Sequence, residues 1–464
     1  MTPPIAAFPG TVAYVGVDPN YALGPDAWLE RYRVACRHET PAARLMAQRG
    51  VEVFCLEHHL DGEALPSRAT TGLLQHPQVT RWLTNGDARP DLLVFKPNAQ
   101  AEQAAAAQGL RILGAPAAIA RPAENKVAFF RLLERLDLPH PAWREIDPSS
   151  ESYETITRDL GPRVVVQGAH GFSGKGTWPV VDAAAYALAA AALGRRKAKA
   201  SRMIEGSPMT LNACVLGPGR VRVGPLFHQV TGAPSCTPYP LGACGNDWSS
   251  VPPPAEVRAE AARIARSVGT SLSEKGFLGM FGLDFVITES GSVVTIECNP
   301  RLVSSVSMAT TLELEREDVP LLASHMLATA GHDVPDAPDI EHGLRGSQLV
   351  LHNLSGASAR VDGALEAGRY RLRGNILDFI APALKPTECV DADDFLVLPA
   401  AAGHTVQAAG ECARVQMRGG LLQFPDGLGK GLGELTPQAR AVADAVQSAL
   451  CLTPVSEDTY ADDD

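Results

Sequence analysis

Short apolar runs, TVAYVGV, VEVFCL and DLLVF, alternate over the first 115 residues with helix-like stretches such as 101–109. Strand-length runs separated by helical segments predict an α/β unit built on a mainly parallel sheet. No G-x-G-x-x-G follows the first run, so a dinucleotide fingerprint is absent. Near residue 121 the period changes. In RPAENKVAFFRLLERLDLPHP, Phe129, Leu132, Leu133 and Leu136 fall at i, i+3, i+4 and i+7 before Pro139, which predicts one amphipathic helix with Lys126 in its first turn. The helix dipole disfavours a cation there. Lys126 therefore reads either as a solvated lysine or as one reaching back to a phosphate. From about residue 339 the pattern turns to Gly and β-formers, with ARVQMRGGLLQF resembling a hairpin. It closes on a helix N-capped by Thr436, with Pro437 at the first position and Val442, Val446 and Leu450 on one face. The expectation is a small, mainly β C-terminal domain over 340–464 with a terminal helix, and an N-terminal α/β domain over 1–115.

Between them lies RVVVQGAHGFSGKGTWPVV, residues 163–181. A P-loop needs glycine five residues before its Gly-Lys pair and Ser or Thr after the lysine. Ala169 and Gly176 stand at those places. The flanks 163–166 and 177–181 are extended in character, so the stretch reads as strand, glycine loop, strand. Gly168, Gly171, Gly174 and Gly176 leave backbone N–H groups free to meet an anion, and Lys175 adds a mobile charge. An ordinary hairpin tip with a solvated lysine is the plainer alternative.

GLDFVITESGSVVTIECNPR, residues 282–301, carries the strongest chemical signal. A two-residue turn at Ser290-Gly291 sets Leu283 opposite Cys298, Phe285 opposite Ile296 and Ile287 opposite Val294, an apolar face with Cys298 as a core thiol. The other face puts Asp284 opposite Glu297 and Gly282 opposite Asn299. Facing carboxylates repel, which is relieved by a raised pKa or a cation between them. Two carboxylates and an amide oxygen suit Mg²⁺ that shares its shell with phosphate. Arg301, on the same face, can bind a carboxylate or phosphate. The plainer reading is a solvent-facing strand pair, and a longer turn would shift the register.

Composition narrows the class. The chain has 464 residues, 45% of them hydrophobic and 20% charged, enough for two or three packed units. With 41 Lys and Arg against 52 Asp and Glu the net charge is −11, which argues against nucleic-acid binding. Nine cysteines without a C-x-x-C pair favour free thiols in a reducing compartment. MTPPIAAFPG has no secretory pattern, and the longest apolar run, Ala183–Leu193, is alanine-rich, too short for a bilayer and simplest as a helix. The expected location is the cytoplasm.

ENK at 124–126, VVVQGAHGFSGKGT at 164–177, MIEG at 203–206 and LDFVI with IECNPR over 283–301 resemble, in order and spacing, the ATP-grasp ligases. The likeness covers about 110–335. It implies a central ATP-grasp domain over 116–335, with a glycine-loop subdomain at 121–200 and a metal and substrate subdomain at 201–335. It further implies ATP and Mg²⁺, for which Mn²⁺ can substitute. By the resemblance Lys126, Gln167, Gly171, Ser173, Gly174, Lys175 and Gly176 contact phosphate, and Arg202, Met203, Ile204 and Glu205 form the adenine hinge. Asp284, Glu297 and Asn299 are the implied metal ligands, and Lys175 and Arg301 the catalytic pair. Two departures stand out: Gln167 replaces the usual lysine, and Ser207, Pro208 and Met209 follow the hinge where an acidic ribose partner is common.

The chemistry implied is attack of a carboxylate on the γ-phosphate, then displacement of phosphate by an amine, giving an amide, ADP and phosphate. Biotin carboxylase shares the expected domain order, but GPLFHQVTGAPSCTPYPLGACGNDW, 224–248, replaces its basic motif with a long loop. That loop is similar to the substrate loops of carboxylate–amine and peptide ligases. It nominates His228, as proton acceptor, with Gln229, Asn246, Asp247 and Arg301 as substrate contacts. Plainer readings are a hydrogen-bonded histidine and turn caps at Asn246 and Asp247. The expectation is a ligase joining a carboxylic acid, such as an amino acid, to an amine, working on small molecules without nucleic acid or membrane; a homodimer is the usual state of related enzymes. The alternatives are a carboxylating enzyme like biotin carboxylase and a non-catalytic ATP-binding protein.

Overall fold

The computed structural model describes residues 8–60, 70–86, 88–171, 174–340 and 342–455. Five parallel strands, β1 (Val12–Gly16), β2 (Tyr32–Cys36), β3 (Glu52–Cys55), β4 (Asp91–Leu93) and β5 (Arg111–Leu113), form the N-terminal sheet in the order β3-β2-β1-β4-β5. The chain reverses direction across the sheet between β1 and β4, which opens a crevice at their carboxyl ends. The loops after these two strands carry Asp18, Tyr21, Phe95 and Lys96 into the central cleft.

The expected single amphipathic helix is two, Ala117–Glu124 and Lys126–Arg135. Asn125 separates them in an extended conformation (φ −68°, ψ 116°), and its side chain accepts from the Ala128 N–H at 3.0 Å. An Asn at this place satisfies a helix N–H that a continuing helix would leave its side chain unable to reach, so the chain restarts. Phe129, Leu132 and Leu133 are buried as their spacing predicts.

A second sheet holds β6 (Trp143–Ile146), β7 (Val164–Gly168), β8 (Thr177–Val180) and β9 (Ala198–Arg202), antiparallel in the order β6-β9-β7-β8. The glycine loop joins β7 to β8, and the alanine-rich helix Ala183–Leu193 packs on this sheet through Tyr186, Ala189 and Leu193.

The largest sheet has ten strands. It begins with β14 (Val293–Asn299), β13 (Gly279–Ile287), β10 (Ser207–Gly217), β11 (Arg220–Thr231), β12 (Ala243–Asp247) and β15 (Ser347–His352), and continues through Glu411–Met417, Asp394–Pro399, Gly368–Arg373 and Ile376–Pro382. Hydrogen bonding thus runs unbroken past residue 340 through the β12–β15 pair. The helix Ala255–Ser273 covers the first part, setting Ile264, Val268 and Leu272 against Leu211, Phe281 and Leu283. Each such large apolar side chain, fully buried, contributes roughly 1.5–3 kcal/mol.

Two loop expectations are corrected. Most of 224–248 is strand, with only 232–242 as loop between β11 and β12. ARVQMRGGLLQF is not a hairpin: Glu411–Met417 pairs with β15 and Asp394–Pro399, whereas Leu422–Gln423 pairs with Glu434–Leu435. The terminal helix is Pro437–Leu450, capped by Thr436, with Val442, Val446 and Leu450 buried. Among the described residues no helix is long and apolar enough to cross a membrane.

Candidate functional site

A cleft of about 630 Å³ lies between the four-stranded and ten-stranded sheets. Its polar end is the β13–β14 hairpin. Gly282 faces Asn299, Leu283 faces Cys298 and Asp284 faces Glu297, as the sequence predicts. Beyond Asp284 the register shifts by one, so Phe285 faces Thr295, Val286 faces Val294 and Ile287 faces Val293. The predicted Phe285–Ile296 and Ile287–Val294 pairs are therefore corrected. The turn is the five residues 288–292, closed by Thr288 N–H to Ser292 O at 3.1 Å and Gly291 N–H to Thr288 O at 2.9 Å. A β-bulge at Ile296 absorbs the extra residue and restores the carboxylate pairing. Ile296 consequently lines the cleft beside Glu297 instead of packing in the core.

Asp284 accepts from Thr210 Oγ1 at 2.8 Å, Gln229 Nε2 at 3.3 Å and Asn299 Nδ2 at 3.1 Å. Burial, with Glu297 opposite, pushes its carboxyl up to about 7. Lys126 is not solvated: its side chain is 3% exposed and its Nζ donates to Glu297 Oε1 at 2.9 Å. Arg301 donates to Asn299 Oδ1 at 3.1 Å and Leu302 O at 3.0 Å, and its Nε lies 3.4 Å from Glu124 Oε1. Lys96 meets the same Glu124 oxygen at 2.7 Å. Burial alone would raise the Glu124 carboxyl, but Lys96 and Arg301 outweigh it and hold the group below its ordinary value.

The donor set is all oxygen on its two carboxylates, and Asp284, which among the described residues no cationic side chain pairs with while Lys126 takes Glu297, is where a hard divalent cation would add the missing charge. Asn299 turns its NH₂ toward Asp284 and its oxygen toward Arg301, so it joins such a set only by rotating its amide.

Gly171, Gly174 and Gly176 shape the loop above this end. A Cβ on Gly171 would sit 2.5 Å from Lys175 O, and one on Gly174 would sit 2.6 Å from Gly242 Cα. Gly174 and Gly176 also have φ of +83° and +80°. The loop is thus packed onto 232–242 at the cleft, with Gly174 among its lining residues and Lys175 exposed. Ser173 lies outside the described residues. Gln167 is buried on β7, faces the cleft and donates to Thr177 Oγ1 at 3.1 Å.

At the apolar end Arg202, Met203 and Ile204 line the cleft with Val165, Val286 and Ile296. Met203 N–H donates to Arg163 O at 2.9 Å, tying the hinge to β7. Glu205 lies outside the cleft lining; its exposed side chain pairs with Arg163.

Strand alternation divides the predicted substrate residues. Gln229 and Asn246 point into the cleft, and Asn246 Oδ1 accepts from Gln348 Nε2 at 2.9 Å. His228 and Asp247 face each other on the far side. His228 Nε2 lies 2.6 Å from Val251 O and its ring 4.9 Å from that of Phe424, and burial lowers its pKa. Asp247 accepts from the N–H groups of Ser249, Ser250, Leu421 and Leu422 at 2.5–3.0 Å. The proton-acceptor and substrate-contact expectations for His228 and Asp247 are corrected: both hold loops.

Sequence reasoning missed Lys199, Asp18, Tyr21, Lys96 and Glu411, all in the cleft. Burial, reinforced by Glu411, pushes Asp18 up to about 7. Asp18 was findable from its place just after β1, at the switch point of a parallel sheet. Lys199 and Glu411 sit in strands whose linear pattern carries no such signal.

Residues 123–305 match the ATP-grasp domain family. Over 209 residues the chain is 29% identical to the carbamoyl phosphate synthase large chain of Hyperthermus butylicus, covering 43% of this chain and 18% of that protein. It therefore spans under a fifth of that relative's length. Similar solved structures include the biotin carboxylase domain of Hydrogenobacter thermophilus 2-oxoglutarate carboxylase, with MgADP, ADP and bicarbonate (TM-score 0.58, 13% identity, 88% of this chain and 86% of that one). Another is N5-carboxyaminoimidazole synthase from Aspergillus clavatus with ADP and 5-aminoimidazole ribonucleotide (TM-score 0.56, 13% identity, 95% and 98% covered). The Thermotoga maritima N5-carboxyaminoimidazole ribonucleotide synthetase matches with a TM-score of 0.52 at 12% identity over 97% and 99%. At these identities the likeness is one of fold. Residues 123–305 therefore match an ATP-grasp domain, set in a chain that shares the fold of these solved structures over most of its length.

Proposed function

We propose that the protein is an ATP-dependent, ADP-forming ligase that joins a carboxylic acid, such as an amino acid, to an amine. The observation that carries this is the opposition of Asp284 and Glu297, flanked by Lys126 and Arg301, at one end of a cleft whose other end is apolar. Met203, Ile204, Val165 and Ile296 offer a base a dry slot, and the hinge backbone offers it hydrogen bonds. The glycine loop's N–H groups would meet the phosphates. Asp284, Glu297 and Asn299 would hold Mg²⁺ or Mn²⁺, which supplies charge neutralisation at the phosphates.

Lys126, paired with Glu297 at 2.9 Å, would be the residue at this end able to turn to phosphate. Arg301 orients the acid's carboxylate against the γ-phosphate, so that the acylphosphate forms with ADP as leaving group. The amine then attacks the acyl carbon, loses a proton and expels phosphate. Asp18 and Glu411 also line the cleft, with Glu411 held by Arg414.

A carboxylating reaction is the second reading, favoured by the coverage of a biotin carboxylase domain solved with bicarbonate. Incubation with Mg-ATP and pooled amino acids, bicarbonate omitted, distinguishes them by mass spectrometry. ADP with a new dehydrated adduct is expected, and Asp284→Asn should lower its rate by at least ~100-fold, the scale of losing one preorganised charge. ADP formed only on adding bicarbonate supports carboxylation, and AMP overturns the acylphosphate route.

A further inference from the structure

Gln167 on β7 and Lys199 on β9 are direct partners in the sheet, and both face the cleft. Lys199 is 1% exposed, with its Nζ 3.8 Å from the centre of the Phe130 ring. Among the described residues no carboxylate lies within 4 Å of that Nζ. Of the other cations about the cleft, Lys126 pairs with Glu297, Arg301 and Lys96 pair with Glu124, and the exposed Arg202 donates its Nε to Leu160 O at 3.1 Å. Lys175 is exposed on the loop.

An ammonium buried without a carboxylate is destabilising. Burial, and then Lys126 nearby, draw Lys199 down to about 7, so its charged form lacks the anion that would stabilise it. A single Gly168 separates Gln167 from the loop that leads to the glycine N–H groups. Gln167 and Lys199 line the same cleft as Gly174 of that loop and Asp284 and Glu297 of the hairpin, so an anion reaching from loop to hairpin would have the pair beside it. The ammonium itself rests on the Phe130 ring, a cation–π contact that offsets only part of the cost of burying it.

We infer that Lys199 is the phosphate-binding cation of the cleft, acting from β9 on the nucleotide's polyphosphate where its uncharged partner Gln167 on β7 cannot. The inference rests on the ATP reading above. It makes β9 part of the nucleotide site beyond the hinge, and it explains how the cleft tolerates glutamine at 167: the charge is displaced one strand across the sheet.

The test compares MgATP and adenosine binding, by calorimetry and thermal shift, in the wild type, Lys199→Met, Lys199→Arg and the Gln167→Lys/Lys199→Gln double variant. Lys199→Met should melt higher than the wild type without ligand, because the buried charge is gone. It should bind MgATP roughly 10- to 100-fold more weakly, the range of a charge-assisted hydrogen bond, with adenosine affinity within about 2-fold. The double variant, with its ammonium moved to β7, should recover most of the MgATP affinity, and Lys199→Arg should retain a measurable part. Wild-type MgATP affinity in Lys199→Met, or equal losses for MgATP and adenosine, overturns the assignment and leaves the ATP reading standing. Absence of MgATP binding in the wild type overturns the ATP reading itself.

Discussion

His325 shows how one side chain ties two parts of the molecule together. Its Nδ1 accepts from Met280 N–H at 2.9 Å, so Nε2 is the protonated nitrogen and donates to Leu113 O at 3.2 Å. It thereby links β13 to β5 of the N-terminal sheet. Burial pushes its pKa down to about 4, against about 6.5 in an unfolded chain. As pH falls from about 6.5 to 4 the unfolded chain takes up a proton that the fold refuses, so stability is lost through that window by about 3 kcal/mol. Glu313, pushed up to about 7 by burial, works in the opposite sense, losing stability as pH rises through 7. The difference between wild type and His325→Gln in denaturant melts therefore isolates the histidine. The variant's stability should fall less between pH 6.5 and 4, and an identical pH slope would show that His325 is not carrying a depressed pKa. Gly279 guards the same contact: φ is +98°, and a Cβ there would lie 2.4 Å from His325 Nδ1.

At the scale of elements, the β13–β14 hairpin places its chemistry by a compensation. A five-residue turn would have set Asp284 against a different residue had the strand been regular, and the bulge at Ile296 returns Glu297 to its partner. Deleting Ile296 should leave a regular ladder with Asp284 still facing Glu297 and Thr295 still in the core. The expected outcome is a folded protein of unchanged circular dichroism whose adenosine affinity falls by about 10-fold, the scale of losing an apolar wall of about 1.5 kcal/mol. Unfolding on deletion would show instead that the bulge is needed for the hairpin itself. Asn125 is a second such device. Its cap restarts the helix so that Lys126, at the new first turn, is buried on Glu297. The apolar period of 129–136 was legible in the sequence, but the break before it was not, because Glu124–Asn125 fits a continuing helix pattern as well as a cap.

For the whole molecule, the continuous ten-stranded sheet decides what can be separated. β12 lies between β11 and β15, so residues beyond 340 complete its hydrogen bonding. Arg414 from the same C-terminal strands is fully buried over the Tyr21 ring at 4.1 Å and pairs with Glu411 at 2.5 Å. A chain ending at 340 would expose the edge of β12 and the apolar surface that meets Leu349 and Leu351, a template for association. Its expected behaviour is aggregation in size-exclusion chromatography. A soluble monomer that binds adenosine would show that the C-terminal strands are dispensable for the nucleotide cleft.

The facing of Asp284 with Glu297 arises from a five-residue turn and a bulge that the sequence did not show, whereas local patterns in the sequence determined the parallel N-terminal unit, the strand–loop–strand around the glycines and the terminal helix. Periodicity, turn residues and caps act within a few positions, so these features are written where they act. Only the tertiary structure decided which side of β11 faces the cleft, sending Gln229 in and His228 out, because the sheet's two faces are both covered and alternation alone does not say which is which. It also brought Asp18, Lys199 and Glu411 from separate elements to one cleft. Their charges are ordinary one at a time along the chain, and acquire their character only when burial removes water and the neighbours arrive.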